Sequence, residues 1–344
     1  MSHHAPNLFD RIAAFFTGEN LTPAVNKTER YIIPKNKPEQ VLIQLEKLGL
    51  TKDVLIYARD QLKLYLRHRK SIPNSCSFLD DEYKTYNIPK RSGGVRQICS
   101  PKGKLKKLHK QLIPAVNRVL EERYVDYGVQ NVNGFRKGRS NITNAVPHVG
   151  KPIVVSVDVR DFFPSISKQL LRSNLQKVLK ELNLANPYIT GYFLAELLSY
   201  KGGLPAGSPI SPLLSNLCMF SADIELMMVS KKWNLNFTRY ADDITVSGSD
   251  ESAKKFIVVI RKELNKIGLQ LNFKKTTISR SGRRQKVCGL NVNTKVSLSR
   301  QYRRSIRAAS HSVQNGKDPH LNGNPLNLAQ LRGHLSYIKA VMKG

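Results

Sequence analysis

Two short acidic clusters have the composition and spacing to do chemistry: Asp158-Val-Arg-Asp161 and the adjacent pair Asp242-Asp243. The pair lies in Thr238-Arg-Tyr-Ala-Asp-Asp-Ile-Thr-Val246, between two strand-forming segments. In a regular strand neighbouring side chains face opposite ways, so both acids reach one edge only if a tight hairpin turn falls there. Adjacent carboxylates repel unless a cation or solvent screens them. Taken alone, the pair also fits a solvated turn, because Asp is a common turn residue. Asp158 differs, since it ends the apolar run that begins at Ile153, where a charge is costly unless it is paired or binds metal. One acid closing a core strand and two on a neighbouring hairpin suit two Mg2+ ions, which take oxygen ligands in near-octahedral geometry. Two such ions about 4 Å apart serve phosphoryl transfer by activating the attacking hydroxyl and stabilising the leaving oxygen.

The elements that must position these acids follow from periodicity. Ile153–Val157 is a continuous β-branched run of buried-strand type, and Phe237–Gly248 reads as strand, turn, strand. Helical spacing runs through Pro38–Arg69, with Gly49 as a left-handed cap, then through Leu108–Leu120, Lys168–Glu181, Tyr188–Leu198 and Ala253–Ile267. Ile88–Ile98 reads as a β-hairpin turning at Ser92-Gly93-Gly94, followed by lysines 102, 104, 106, 107 and 110. Val287–Val296 adds strand. Helices flanking short strands in this order indicate an α+β architecture, not a doubly wound sheet.

Charge narrows the partners. Among 344 residues, 56 Lys and Arg face 25 Asp and Glu, a net charge of +31. So basic a chain repels itself unless a polyanion neutralises it, and nucleic acid is the first candidate. An anionic membrane is the rival, but no long basic helix with a bulky apolar face is evident. Arg300, Arg303, Arg304 and Arg307 fall at i, i+3, i+4, i+7, so a helix there carries one basic stripe able to track phosphates. The cysteines at 76, 99, 218 and 288 lie far apart without zinc spacing, as expected of isolated thiols in a reducing cytosol. The first twenty residues read as neither signal peptide nor membrane span, and a cytoplasmic location without membrane partners is expected.

Four segments together resemble the motifs of reverse transcriptases, in family order and spacing across roughly residues 86–296. Tyr240-Ala-Asp-Asp243 is similar to the family's Y-x-D-D box, and Asp158-Val-Arg-Asp-Phe-Phe163 to its first aspartate motif. Gly203-Leu-Pro-Ala-Gly-Ser-Pro-Ile-Ser-Pro212 resembles the segment between them, and Leu269-Gln-Leu-Asn-Phe-Lys-Lys-Thr276 the one that follows. The resemblance implies an RNA-directed DNA polymerase with a right-hand fold. A small N-terminal helical region (1–75) would precede fingers (76–152), a palm of small antiparallel sheet packed on helices (153–295, with fingers-side helices about 168–200) and a helical thumb (296–344). It implies two Mg2+ ions on Asp158, Asp242, Asp243 and the Val159 carbonyl. It makes Lys275 a candidate proton donor to the leaving pyrophosphate. Lys90 and Arg96 would grip the incoming deoxynucleoside triphosphate, and Asp161, Phe162, Phe163, Ala206 and Gly207 would surround it. Phe163 occupies the place of the aromatic gate that excludes a ribose 2′-hydroxyl. Ala206 departs from the usual Gln, so that nucleotide contact is absent or replaced.

Two further segments resemble those of bacterial retron reverse transcriptases. Asn144-Ala-Val-Pro-His148 is similar to their N-A-x-x-H motif, and Val287-Cys288-Gly289 to their V-T-G segment with Cys replacing Thr. Leu331–Ile338 resembles their C-terminal helix, and the chain shows no maturase, nuclease or integrase extension. By this resemblance Asn144, His148, Val287, Cys288 and Gly289 contact RNA, and the four arginines are expected to do so by their own spacing. Such enzymes bind a cognate structured noncoding RNA, prime from an internal 2′-hydroxyl and leave a branched RNA–DNA hybrid, msDNA. They act in antiphage defence, here with a separately encoded effector. The rival expectations are a group II intron-like or other bacterial reverse transcriptase, and a catalytically inactive basic RNA-binding protein.

Overall fold

Alternation at period two builds the central sheet. A computed structural model describes residues 38–68, 79–89 and 93–343, and in it Lys90 and Cys76 lie outside the described residues. Strands β3 (Ile153–Val159), β4 (Asn236–Tyr240), β5 (Asp243–Gly248) and β6 (Leu271–Arg280) form a four-stranded antiparallel sheet in the order β4-β5-β3-β6. Phe237, Val246 and Val155 align across one face, and Phe237 meets Phe256 of the following helix, Asp250–Lys266, at 6.5 Å between ring centroids. The other face is hydroxyl-rich: Thr238, Thr245, Ser156 and Thr277 stand in register. One row further along stand Tyr240, Asp243, Asp158 and Asn272.

That polar face is partly covered. The short helix Asn141–Ala145, capped by Ser140, runs into a 3-10 turn at Val146–His148. A two-residue hairpin joins β7 (Lys286–Val287) to β8 (Leu290–Asn291), with Cys288 at φ 46° and Gly289 at φ 83°. Both central residues in the left-handed region make the primed type of turn that suits a twisted hairpin. Val154, Ala145, Val287, Leu290 and Val296 bury one another there. The chain then forms two helices, Arg300–Gln314 and Leu328–Lys343, joined through Ile306, Ala309 and Leu331.

Chain packing divides these elements into two compact, discontinuous units. The sheet, its covering segments and the last two helices fall in the unit made of Asn131–Val159, Leu226–Ile260 and the chain from Leu271 onward. The other contains described residues up to Gln130, with Arg160–Glu225 and Arg261–Gln270. In it lie the helices Pro38–Lys47 and Lys52–His68, and the hairpin β1 (Tyr83–Pro89) to β2 (Val95–Pro101). Helix Gly103–Asp126 buries Leu105, Leu108, Leu112, Val116 and Val119 at helical spacing, and its Arg123 makes a bidentate pair with Glu181 at 2.6–3.1 Å.

Helices Lys168–Glu181 and Pro187–Leu198 coincide closely with the sequence expectation. Helix Ser211–Lys232 was not anticipated. By length and composition it passes for a membrane span, yet 78% of its most apolar stretch is buried inside the protein. Buried polar residues along it, Ser215, Asn216 and Asp223 among them, interrupt the one-sided apolar stripe by which a helix is read from sequence.

Candidate active site

The sheet brings the sequence-predicted acids together. Asp158 and Asp243 are cross-strand partners on adjacent strands, and Asp242 occupies the two-residue turn between Tyr240 and Asp243. The hairpin turn expected from the adjacent pair is therefore present, with Ala241 at φ 57°. A non-glycine residue held there stores strain that the surroundings must enforce. They do so from two directions: Arg239, fully buried, donates from Nη1 to the Ala241 carbonyl at 3.0 Å, and Val159 N–H donates to the Asp242 carbonyl at 3.1 Å. On Gly134 a Cβ would come 2.3 Å from the Ala241 nitrogen, so only glycine lets that segment lie against the turn.

Asp158 is nearly buried and receives hydrogen bonds from Lys275 Nζ at 3.0 and 3.1 Å and from Asn272 Nδ2 at 3.3 Å. Lys275 reaches it through a bulge, in which Phe273–Thr276 stand opposite the single residue Val157. Bulges re-aim side chains in this way beside active sites. Asp243 remains in contact with solvent, yet its pKa is raised to about 6, first by desolvation, then by the charges of Asp242 and Asp158, with Lys275 opposing. Like charges directly opposite in a sheet are unfavourable unless something neutralises them. A cavity of about 230 Å3 is lined by Asp158, Asp243, Lys275, Lys286, Cys288 and Gly289.

Among the described residues no group of three or more His, Cys, Asp or Glu is gathered closely enough to hold a metal ion. Mg2+ normally keeps several waters and shares substrate phosphates, so an open set of mutually repelling carboxylates with oxygen donors alone fits such a cation. Val159 itself lies on β3 with its side chain buried.

The retron-like segments are placed differently from expectation. Asn144 and His148 have no exposed surface, so neither side chain is available to RNA in this structure. His148 Nδ1 lies 2.7 Å from Ser247 Oγ and Nε2 lies 2.8 Å from Thr238 Oγ1, while Asn144 Nδ2 donates to Cys288 Sγ at 3.3 Å. Val287 is a core residue at 1% exposure. Cys288 is half-buried and its thiol is pushed up to about 12, chiefly by desolvation. Gly289 is exposed, as are Arg300, Arg303, Arg304 and Arg307 along their helix.

The remaining candidates lie in the other unit. Asp161, at φ 43°, opens the short turn of helix Phe162–Ser165 and is exposed; Phe162 is buried and Phe163 half-buried, their rings 5.5 Å apart. The Gly203–Gly207 loop lies against this turn, with Leu204 N–H donating to the Phe163 carbonyl at 3.1 Å. Gly207 abuts β2, where a Cβ would come 2.7 Å from Ile98 and 2.8 Å from the Cys99 carbonyl. Arg96, exposed on β2, and Ala206, half-buried, complete the described set. Buried His109 holds Ser208 of the same loop at 2.7 Å, its pKa lowered to about 4 by desolvation.

Sequence reasoning missed Asn272, Lys286, Arg239 and Gly134. Asn272 sits inside a recognised segment, so its polar side chain beside Lys275 was an available signal. The roles of the other three arise from tertiary placement.

Comparison with known proteins agrees with the geometry. The reverse transcriptase (RNA-dependent DNA polymerase) family matches residues 88–303, spanning every acid described above. The chain belongs to the reverse transcriptase family. Within it, retron reverse transcriptase Mx65 of Myxococcus xanthus is 32% identical over 276 residues, covering 75% of this chain and 61% of that protein. Retron Mx162 reverse transcriptase of the same organism is 32% identical, covering 74% of this chain and 57% of that protein. Retron Ec86 reverse transcriptase of Escherichia coli is 31% identical, covering 76% of this chain and 77% of that protein, which places the chain with the retron reverse transcriptases. The chain spans only about three fifths of the length of the two Myxococcus proteins. A solved Candida albicans telomerase matches at TM-score 0.45 and 13% identity, over 69% of this chain and 51% of that one. The α+β architecture, with the small antiparallel sheet β3–β6 among helices, is the one that the sequence led one to expect.

Proposed function

We propose that this chain is an RNA-directed DNA polymerase of the retron type. On this reading it binds a cognate structured noncoding RNA, starts from an internal 2′-hydroxyl and copies part of the RNA into branched msDNA. The observation that carries the reading is the cross-strand pairing of Asp158 with Asp243, with Asp242 in the turn, inside the family-matched segment. Divalent cations held there, two Mg2+ on our reading, would activate the attacking hydroxyl and neutralise charge on the leaving pyrophosphate.

The chain's own residues supply position. Lys275 pairs with Asp158 at 3.0 Å, and on our reading it would donate a proton to the leaving pyrophosphate. Phe163 and Ala206, on touching segments, would line the sugar side of the deoxynucleoside triphosphate, with Arg96 and Lys90 on its phosphates. Fingers at 76–152, palm at 153–295 and thumb at 296–344 remain our functional division. Cytoplasmic action in antiphage defence beside a separately encoded effector completes the proposal.

The test is extension of a DNA primer annealed to RNA, with and without Mg2+. Asp242→Asn and Asp243→Asn are each expected to abolish synthesis while RNA binding persists. Synthesis that survives either substitution would overturn the assignment. For the retron step, nucleic acid from cells expressing the gene with its flanking DNA is treated with RNase and debranching enzyme. A single-stranded DNA that changes size on debranching, and is lost in Asp242→Asn, is the expected result. Primer extension without any such DNA would keep the polymerase and remove the retron step.

A further inference from the structure

The two polar residues of the Asn144–His148 segment are fully buried; the His148 ring bonds the hairpin that carries the acids, and Asn144 meets that hairpin through its main-chain carbonyl. Thr238 lies on β4, two residues before Tyr240; Ser247 lies on β5, four residues after Asp243. His148 therefore holds one hydroxyl from each strand of the hairpin, at 2.7 and 2.8 Å. Both hydroxyls stand on the sheet face that presents Asp158 and Asp243.

The donors can be assigned. Thr238 Oγ1 donates to the Asn144 carbonyl at 3.3 Å, so its one proton is used and it accepts from His148 Nε2–H. Nδ1 is then the acceptor, and Ser247 Oγ donates to it. The ring is neutral, its pKa pushed down to about 3, mainly by burial and further by the charge of Lys151. Asn144 continues the network: its side-chain oxygen accepts from Asn133 Nδ2 at 3.1 Å, and its Nδ2 donates to Cys288, which lines the cavity beside Asp158 and Asp243.

We propose that His148 is a positioning residue for DNA synthesis. It clamps both strands of the Asp242–Asp243 hairpin to its covering turn and, through Asn144, to the Cys288 wall of the same cavity. The inference rests on the polymerase reading above. A buried network with every member satisfied specifies one geometry, and carboxylates that must meet cations and substrate tolerate errors of only about 0.5 Å. The same observations exclude direct reading of RNA by these two side chains.

The experiment compares His148→Ala, Thr238→Val and Thr238→Ser in the full chain. kcat and KM for the deoxynucleotide are measured on a generic RNA template with an annealed DNA primer. RNA affinity, melting temperature and Mn2+ binding by electron paramagnetic resonance are measured beside them. Loss of a supporting hydrogen bond is expected to lower kcat about 10–100-fold and to weaken Mn2+ binding severalfold. KM and RNA affinity stay within about threefold, and Thr238→Ser, which keeps the hydroxyl, restores kcat. Two results would overturn the proposal: unchanged kcat and Mn2+ binding in Thr238→Val, or RNA affinity that falls while kcat holds. A lower active fraction with normal turnover per active molecule would also overturn it, by making the clamp merely structural. If His148→Ala fails to fold, the Thr238 pair still decides. If the native chain makes no DNA, the polymerase reading fails, and the Mn2+ comparison still tests the clamp.

Discussion

Asp243 bears the conflict built into this site. Its ordinary carboxyl value of 3.8 is raised to about 6, because it is partly desolvated and faces Asp242 and Asp158. A raised acid binds its proton more tightly in the folded chain than in the unfolded one. In metal-free protein its contribution to stability is thus fully present below about pH 3.8 and is lost as pH rises through about 6. Asp243→Asn removes that charge. In EDTA at pH 7.5 the variant is expected to melt about 1–3 °C above the native chain, with the gap closing near pH 4. The same substitution is expected to end synthesis, a trade of stability for function that is common in sites of this kind. A lower melting temperature for Asp243→Asn in EDTA would show that neither desolvation nor repulsion of this carboxylate weighs on the fold.

At the scale of elements, close backbone approach decides what the sequence can replace. A Cβ on Gly134 would stand 2.3 Å from the Ala241 nitrogen, and one on Gly203 would stand 2.2 Å from the Pro164 carbonyl oxygen. Backbone atoms cannot rotate away as side chains do, so Gly134→Ala and Gly203→Ala are each expected to destabilise by about 1–3 kcal/mol. Gly282 has open space at its Cβ position, and Gly282→Ala is expected to stay within about 0.5 kcal/mol. Urea unfolding of the three variants checks the ranking, and equal losses at all three would refute it. The same distinction explains how much of the molecule the sequence made legible. A continuous β-branched run exposed β3, which is buried on both faces, and helical spacing exposed Lys168–Glu181, whose Leu171, Leu175, Val178 and Leu179 make one buried face. Helix Ser211–Lys232 lacked that contrast. Gly134 and the bulge that delivers Lys275 lacked any local signal, since both depend on neighbours distant in sequence. Asn144 and His148 were misread for a related reason: a polar pair in a short motif looks like a reading surface until its burial is known.

Over the whole molecule, charge is the property most visible in composition, and the fold shows where some of it is spent. The helix Arg300–Gln314 buries Ile306 and Ala309 and leaves Arg300, Arg303, Arg304 and Arg307 exposed. Cations released from RNA when phosphates are neutralised make affinity fall linearly with salt on logarithmic axes, by about 0.7–0.9 in slope for each phosphate contact. With +31 net charge, native affinity for duplex RNA is expected to drop steeply between low and physiological salt. Changing the four arginines to Gln is expected to weaken binding at low salt and to flatten the slope by about one for each contact removed. Because the hydrogen bonds around Asp158 and the hairpin are untouched, kcat at saturating primer–template should be preserved. Filter binding across a salt series, paired with primer extension, separates the two effects. An unchanged slope would move phosphate recognition to other surfaces, such as the exposed lysines at 102, 104, 106 and 110. A fall in kcat at saturation would instead tie this helix to the geometry of the carboxylates, a coupling that charge alone cannot produce.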